Sequence, residues 1–314
     1  MTFQGRFADS LVPEALSNIS VSFLVDDLEV RRGGVGANIA FGLGCLGLRP
    51  VLVGAAGEDF EPYRAWLDRH GVDTDSVRIS QMKHTARFVC TTDRDQAQIA
   101  SFYAGAMSEA REIELGPIAE RLGGLDLVLI GPNDPVAMAR HTAECREQGI
   151  PFAADPSQQL SWLEGDAIRD LVEGATYLFT NAYEAAMIEK KTGWTVDEIG
   201  SSVDVRITTL GADGVRVTAR GEEPIHVAAT PVDHVVDPTG VGDAFRAGFL
   251  SGRSWGLGLE RSAQVGATLA AHVVETLGPQ EYKLADKRFL DRLGAAYGAD
   301  AAAQVEPHLA VRVL

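Results

Sequence analysis

A chain of 314 residues with 46% hydrophobic and 23% charged side chains has the composition of a globular protein of one large or two unequal domains, which excludes disordered and fibrous architectures. Its 28 Lys and Arg stand against 44 Asp and Glu, a formal charge of −16 that repels phosphate backbones and anionic lipid, so neither nucleic acid nor a membrane is an expected partner. A phosphate bound by such a chain has to be held by local donors, backbone N–H groups or a metal ion, rather than by the overall field.

In chain order, residues 21–30 (VSFLVDDLEV) alternate like a half-polar strand. A helix is expected through Ile39, Leu43 and Leu46, which recur at helical spacing, with a stop at Gly47 ahead of Pro50. Val51–Leu52–Val53 reads as a short buried strand. Phe60, Tyr63 and Leu67 repeat the helical spacing behind a cap at Asp59, and Gly71 ends that helix. Residues 84–92 and 96–103 flank a polar turn at 93–95 and predict a hairpin; with 21–30 they predict a small projecting β-sheet, a lid or a dimerisation surface. Further buried strands are expected at 126–130, 151–154, 176–179 and 205–209, and long helices at 259–277 and 287–297 before an Ala-rich tail. Strands alternating with helices imply a mostly parallel sheet covered on both faces, with ligands outside the carboxyl ends of its strands.

Several chemistries are excluded at this level. Cys45, Cys90 and Cys145 form no CxxC pair, so neither a disulfide framework nor a zinc site is expected. The seven histidines show no HExxH spacing, and neither a GxSxG elbow nor a GxxxxGK[ST] loop occurs. The chain does not open on a basic start followed by an apolar stretch, and its longest uncharged run, 33–48, carries six glycines; a cytoplasmic protein is expected.

Four motifs can carry chemistry. In 236–249 (VDPTGVGDAFRAGF) the glycines make 239–242 a poor helix, whereas Ala244 onward is a good one. They therefore lie at a helix start, where unpaired N–H groups and the positive dipole end suit a phosphoryl oxygen. Asp243 in that turn is within reach of whatever the anion approaches and can accept a proton from an attacking hydroxyl. The plainer reading is a helix cap with a Gly-rich turn. In 32–38 (RGGVGAN), paired glycines allow close backbone approach and Asn38 offers a donor and an acceptor to a vicinal diol, or merely caps a helix. In 180–184 (TNAYE), Asn181 and Glu184 fit a capping box, and the same side chains could orient hydrated magnesium. The turn 208–214 (TTLGADG) fits either a hairpin to a strand at 215–219 or a nucleotide phosphate contact.

Taken in this order, Gly33–Gly34 with Asn38, NxxE at Asn181 to Glu184, the Thr-Leu-Gly turn and DPTGVGD at Asp237 to Asp243 resemble the ribokinase-like sugar and nucleoside kinases. Residues 22–34, 86–88, 98–109 and 155–159 are similar to the bacterial adenosine kinases of that family, and the likeness spans essentially the whole chain. The resemblance implies a three-layer α/β/α core, 33–80 and 107–314, with a small β-sheet lid from 1–32 and 81–106. It implies an enzyme that phosphorylates the 5′-hydroxyl of adenosine to AMP with ATP, requires Mg2+, and uses K+. Asp243 would be the catalytic base, and Gly240, Val241 and Gly242 the anion hole. Ser22, Gly34 and Asn38 would hold the ribose, Phe88 and Phe102 would wall the purine, and Gln158 and Gln159 would contact substrate. Asn181, Thr209, Gly211, Gly214 and Gly242 would bind ATP; Glu184 would organise magnesium, and Asp237 would lie beside a monovalent cation. A homodimer through the lid sheet is expected. Members of the family normally begin with a core strand whose Asp contacts the ribose hydroxyls. Here residues 1–7 already read as the lid approach, so the natural start is expected upstream of Met1, in preference to a weakened, non-catalytic member.

Overall fold

The computed structural model describes residues 1–11 and 17–309. Its strands are β1 (Gly54–Gly57), β2 (Val77–Ser80), β3 (Arg87–Thr92), β4 (Gln98–Tyr103), β5 (Val128–Ile130), β6 (Phe152–Ala154), β7 (Tyr177–Asn181), β8 (Val205–Thr209), β9 (Val215–Ala219) and β10 (Ile225–Val227). The main sheet runs β10-β9-β8-β7-β6-β5; β5 to β8 are parallel, and β9 and β10 add antiparallel. The four runs expected as buried strands from 126 onward thus form the parallel part, and the turn at 211–214 makes the β8–β9 hairpin.

The period of two along each strand divides the interior into two cores. Tyr177 and Phe179 join Ile207, Phe245, Phe249 and Leu269 on one face, while Leu178 between them joins Met138, Phe152, Ile168 and Ile188 on the other. Helices cover both faces, giving the three-layer α/β/α architecture. On one face, the helices Val35–Cys45, Val241–Ser254 and Leu259–Val274 approach so closely that side chains are excluded at the contacts. A Cβ on Gly42 would lie 2.6 Å from that of Ala247, and one on Gly248 would lie 2.7 Å from the Gly266 Cα.

Among the described residues β1 and β2 pair in parallel as a separate two-stranded sheet, with no hydrogen-bonded neighbour shared with β5. The strand expected at Val51 to Val53 is displaced along the chain. Val51 makes only an isolated bridge to Asp73, and the ladder begins at Gly54. Gly57 at the end of β1 is demanded by packing, because a Cβ there would sit 2.4 Å from the Lys83 carbonyl oxygen.

The hairpin at 84–103 is β3 and β4 paired antiparallel, with Phe88 opposite Phe102. Its turn is organised by Asp93, whose Oδ1 accepts from the amides of Asp95 and Ala97 while Oδ2 accepts from the Phe7 amide. The chain start lies along β3: the Met1 ammonium donates to the Cys90 carbonyl and the Phe3 amide to that of Thr92. Phe3, Phe7 and Phe23 cluster there, with centroids 4.8–5.6 Å apart. Residues 21–30 do not form the expected strand; Asp27 bridges Thr2, but no ladder follows. The alternation of that segment misleads because Phe23 joins that cluster while Leu24 and Val30 stand in solvent, each 86% exposed, and no ladder pairs the backbone. Among the described residues no helix is long and apolar enough to cross a membrane.

Candidate active site

Two helix starts make the floor of the site. Gly240 takes φ +78° to cap the Val241–Ser254 helix, and a Cβ there would lie 2.4 Å from that of Pro279, so both conformation and space require glycine. The Ala244 amide is the first to bond back along the helix, to Gly240, and that of Val241 reaches the Pro238 carbonyl only at 3.4 Å. The amides of this first turn thus face outward with the positive end of the dipole, as an anion site requires. Asp243 stands in the same turn. On the neighbouring Val35–Cys45 helix, capped by Gly34 at φ +98°, Asn38 is nearly buried. Asn38 and Asp243 each lie one turn before the Gly42–Ala247 contact, so the glycine that lets the helices touch also sets the distance between the two polar side chains. Asn38 Nδ2 donates to Asp243 Oδ2 at 2.8 Å.

Burial pushes the Asp243 carboxyl up to about 6, and the negative Asp155 and Glu184 act in the same direction; the Asn38 hydrogen bond and the Arg246 guanidinium oppose them. Arg246 itself is buried. Its Nε lies 2.6 Å from Asp155 Oδ2, its Nη2 donates to Asp155 Oδ1 at 2.6 Å, and its Nη1 donates to the Gly242 carbonyl at 3.1 Å. This buried ion pair, with one hydrogen bond through Nη2, anchors the glycine turn from beneath, because Asp155, 0% exposed, follows directly on β6. Burial would discharge Arg246, but Asp155, Asp243 and Glu184 outweigh it and hold the guanidinium more firmly protonated. Ser157, at φ +45°, donates to the same Asp155 Oδ1.

The other candidates stand where parallel strands end. Asn181 closes β7 and caps the Ala182–Thr192 helix: the Asn181 Oδ1 accepts from the Glu184 amide and Glu184 Oε2 accepts from the Asn181 backbone amide, a complete capping box. Burial raises the Glu184 pKa, the Asn181 amide opposing. Thr209 closes β8, and Gly211 and Gly214 take φ +63° and +91° in the turn to β9. Asp237 clamps two loops, Oδ1 accepting from the Thr239 amide and Oδ2 from that of Gly278. Burial would raise its pKa, but these donors lower it, so the carboxylate stays charged.

Outward amides, a carboxylate raised to about 6 beside them and polar groups at the strand ends are the kinds of group that phosphoryl transfer uses. Residues 10–286 match the model of the pfkB family of carbohydrate kinases. The chain belongs to that family. It is 31% identical over 254 residues to the nucleoside kinase of Methanothermobacter thermautotrophicus, covering 79% of this chain and 80% of that protein. It is 28% identical over 250 residues to the nucleoside kinase of Methanocaldococcus jannaschii, with 79% and 80% covered. In three dimensions it is similar to the Burkholderia thailandensis nucleoside kinase in complex with inosine, at a TM-score of 0.83, 33% identity and 95% coverage of both chains.

In this pfkB-family kinase the residues singled out from sequence fall into two groups. Asn38, Asp243, Gly240, Val241 and Gly242 meet, and Glu184 is close enough to Asp243 to influence its charge. Gln159 is half-buried and donates to the Asn133 carbonyl at 2.9 Å, whereas Gln158 is exposed. Ser22 is exposed. Phe88 and Phe102, 69% and 59% exposed, lie side by side on one face of the hairpin. Asp59 does not cap the helix behind it: the Glu61–Arg69 helix is preceded by a turn of 3-10 helix, and Asp59 accepts from Thr85 and Arg87 of the hairpin base. Arg246, Asp155, Gln280 and Tyr63 also bear on the site, although no pattern in the sequence assigns them a role there. A lone Arg within the apolar run 244–250 was the available signal for a buried ion pair; Gln280 carried none.

Among the described residues no three His, Cys, Asp or Glu side chains are grouped to hold a metal by themselves. Magnesium, which keeps its waters and binds through one or two carboxylates together with substrate phosphates, would need only a carboxylate such as that of Glu184.

Proposed function

We propose that this pfkB-family kinase transfers the γ-phosphoryl group of ATP to the 5′-hydroxyl of a nucleoside, with adenosine, converted to AMP, as the expected acceptor. The observation that carries this is Asp243 in the first turn of a glycine-capped helix, held by Asn38 and poised at about 6. At neutral pH the carboxylate is ionised, yet basic enough to take a proton in the transition state. Asp243 removes the 5′-hydroxyl proton as that oxygen attacks the γ-phosphorus in line. The bond to the bridging oxygen of ADP breaks, and the amides of Gly240, Val241 and Gly242 receive the charge of the transferred group. Asn38 and Gly34 hold the ribose, and Asn181, Thr209, Gly211 and Gly214 the nucleotide. Magnesium, held through Glu184 and the triphosphate, supplies neutralisation of the phosphate oxygens when bound. Asp237, kept anionic by its amide donors, is where a potassium ion is proposed.

A nucleoside rather than a free sugar is favoured by Phe88 and Phe102, two exposed rings directly opposite one another that can stack on a base once the hairpin closes as a lid. The opposite face of the hairpin carries exposed Val89, Ile99 and Tyr103, and a second copy of the chain would cover them. Inosine, the nucleoside in the Burkholderia thailandensis complex, is the alternative acceptor.

The test is phosphoryl transfer from magnesium-ATP to adenosine, inosine, ribose and fructose. Nucleosides should exceed the sugars by more than tenfold, and Asp243→Asn should lower turnover by roughly 10²–10⁴ while ATP binding persists. Turnover should fall as pH drops through about 6, where Asp243 takes up its proton. Near-normal turnover in the variant removes Asp243 from this role, and comparable rates on free sugars make the enzyme a sugar kinase.

A further inference from the structure

The side chain that touches Asp243 is itself held by a chain of hydrogen bonds whose direction is forced at its far end. The Trp66 indole Nε1–H, a group that can only donate, points at Gln280 Oε1 at 3.1 Å. The Gln280 amide therefore has its oxygen toward Trp66 and its nitrogen toward the site. Gln280 Nε2 donates to Asn38 Oδ1 at 2.8 Å and to the Tyr63 hydroxyl at 2.5 Å, and Tyr63 passes its own proton to the Gly33 carbonyl at 3.0 Å. With Oδ1 occupied, Asn38 has only Nδ2 to offer Asp243, as observed. Gln280 is 1% exposed, so water cannot substitute for these partners. Were the Asn38 amide turned over, an oxygen would face the carboxylate and the two would repel.

We propose that Trp66 and Gln280 are positioning residues that fix which end of the Asn38 amide meets Asp243. They touch neither reacting group; they ensure that the carboxylate is met by a donor, which keeps it charged and aimed. The inference rests on the reading of Asp243 as the base. The other charged or titratable groups bearing on Asp243 are Arg246 from its own helix, Asp155 after β6, Glu184 of the Ala182–Thr192 helix, and Tyr63 of the Glu61–Arg69 helix with Arg32 beside it. Gln280 also donates to Tyr63 and the Trp66 ring carries the Arg32 guanidinium at 4.3 Å, so the amide chain is isolated by the two variants read together with the Asn38 background.

Two neutral variants serve. Gln280→Met removes the donor to Asn38 at similar volume, and Trp66→Phe removes the indole N–H while leaving an aromatic ring to stack on Phe41, now at 5.9 Å. A hydrogen bond to a charged group is worth enough to change turnover by about tenfold or more. Gln280→Met should accordingly lower kcat about tenfold and move the acid limb of the kcat–pH profile upward by about one pH unit. KM for ATP should stay as in the unaltered enzyme. Trp66→Phe should move both in the same direction by less. In an Asn38→Leu background the Gln280 change should add nothing. The proposal is overturned by a wild-type pH profile in both variants, or by an undiminished Gln280 effect without Asn38. If Gln280→Met does not fold, Trp66→Phe decides by the same criteria. Retained turnover in Asp243→Asn would instead remove the base reading, whereas loss there with unchanged Gln280→Met and Trp66→Phe overturns only the amide chain.

Discussion

Asp59, at the base of the hairpin, and Asp243, on the floor of the site, are both aspartates near a glycine-rich turn, and their surroundings drive them apart. Burial works against the charge of Asp59 too, but the amide and hydroxyl of Thr85 and the guanidinium of Arg87 more than reverse it and bring its pKa to about 2. Deep burial pushes Asp243 up to about 6; the Asn38 donor and the Arg246 charge oppose it, and the negative Asp155 and Glu184 add to it. One carboxylate is saturated with donors and ties β3 to the body; the other is left short of them and can exchange a proton near neutral pH. The difference is in the depth of burial and in the partners rather than in the residue. It also separates two regions by their finish: around Asp243 the polar groups are paired inside the protein, whereas the hairpin leaves Phe88 and Phe102 in solvent, waiting for something to cover them.

The largest break in this comparison would come from the ion pair beneath the glycine turn. Arg246→Met leaves Asp155 charged and buried without its partner, and should cost about 3–5 kcal/mol of unfolding free energy by urea titration. A loss below about 1 kcal/mol would mean that the pair is not the anchor its geometry describes.

Next in size, Phe102→Ala should weaken adenosine binding by roughly 1–3 kcal/mol while leaving ATP affinity alone, read by calorimetry. Equal losses for both ligands would place the ring away from the base.

The smallest effect sharpens the contrast of the two aspartates. The folded pKa of Asp59 lies below its usual 3.8, so its stabilisation is present above about pH 4 and is lost as pH falls toward 2. Asp59→Asn should cost roughly 1–2 kcal/mol at pH 7 and almost nothing at pH 2. Asp243 has the opposite sign: between pH 4 and 6 the folded chain binds the proton more tightly than the unfolded one, so its contribution becomes more favourable as pH falls through 6. Asp243→Asn should therefore gain stability relative to the unaltered protein above pH 6 and lose that gain below pH 4. Parallel pH dependences in the two variants would erase the distinction.

Much of the fold was legible because its signals are local. The helices ending at Gly47 and Gly71, the hairpin at 84–103 and the parallel strands at β5 to β8 follow from spacing and turn residues within a dozen positions. The capping box at Asn181 and Glu184 is of the same kind, three residues apart. Residues 21–30 and 51–53 show the limit of that reasoning. Each has the pattern of a strand, yet a strand needs a neighbour, and the pattern does not say whether one is present. Asp59 shows it again: its position before a helix marks a cap, but Thr85 and Arg87, far along the chain, offered stronger donors.

By itself the sequence determined the glycine bend at Gly240, the helix that follows it and the placing of Asp243 in its first turn, since backbone sterics and unpaired amides act over a few residues. Only the tertiary structure decided what surrounds that carboxylate. Asn38 is 205 positions from Asp243, Gln280 is 242 from Asn38 and 214 from Trp66, and Asp155 is 91 from Arg246. Such pairs leave no mark on local spacing, because hydrogen bonds and charges act through distance in space, and it is the packing of helix on helix at Gly42 and Ala247 that brings them within reach.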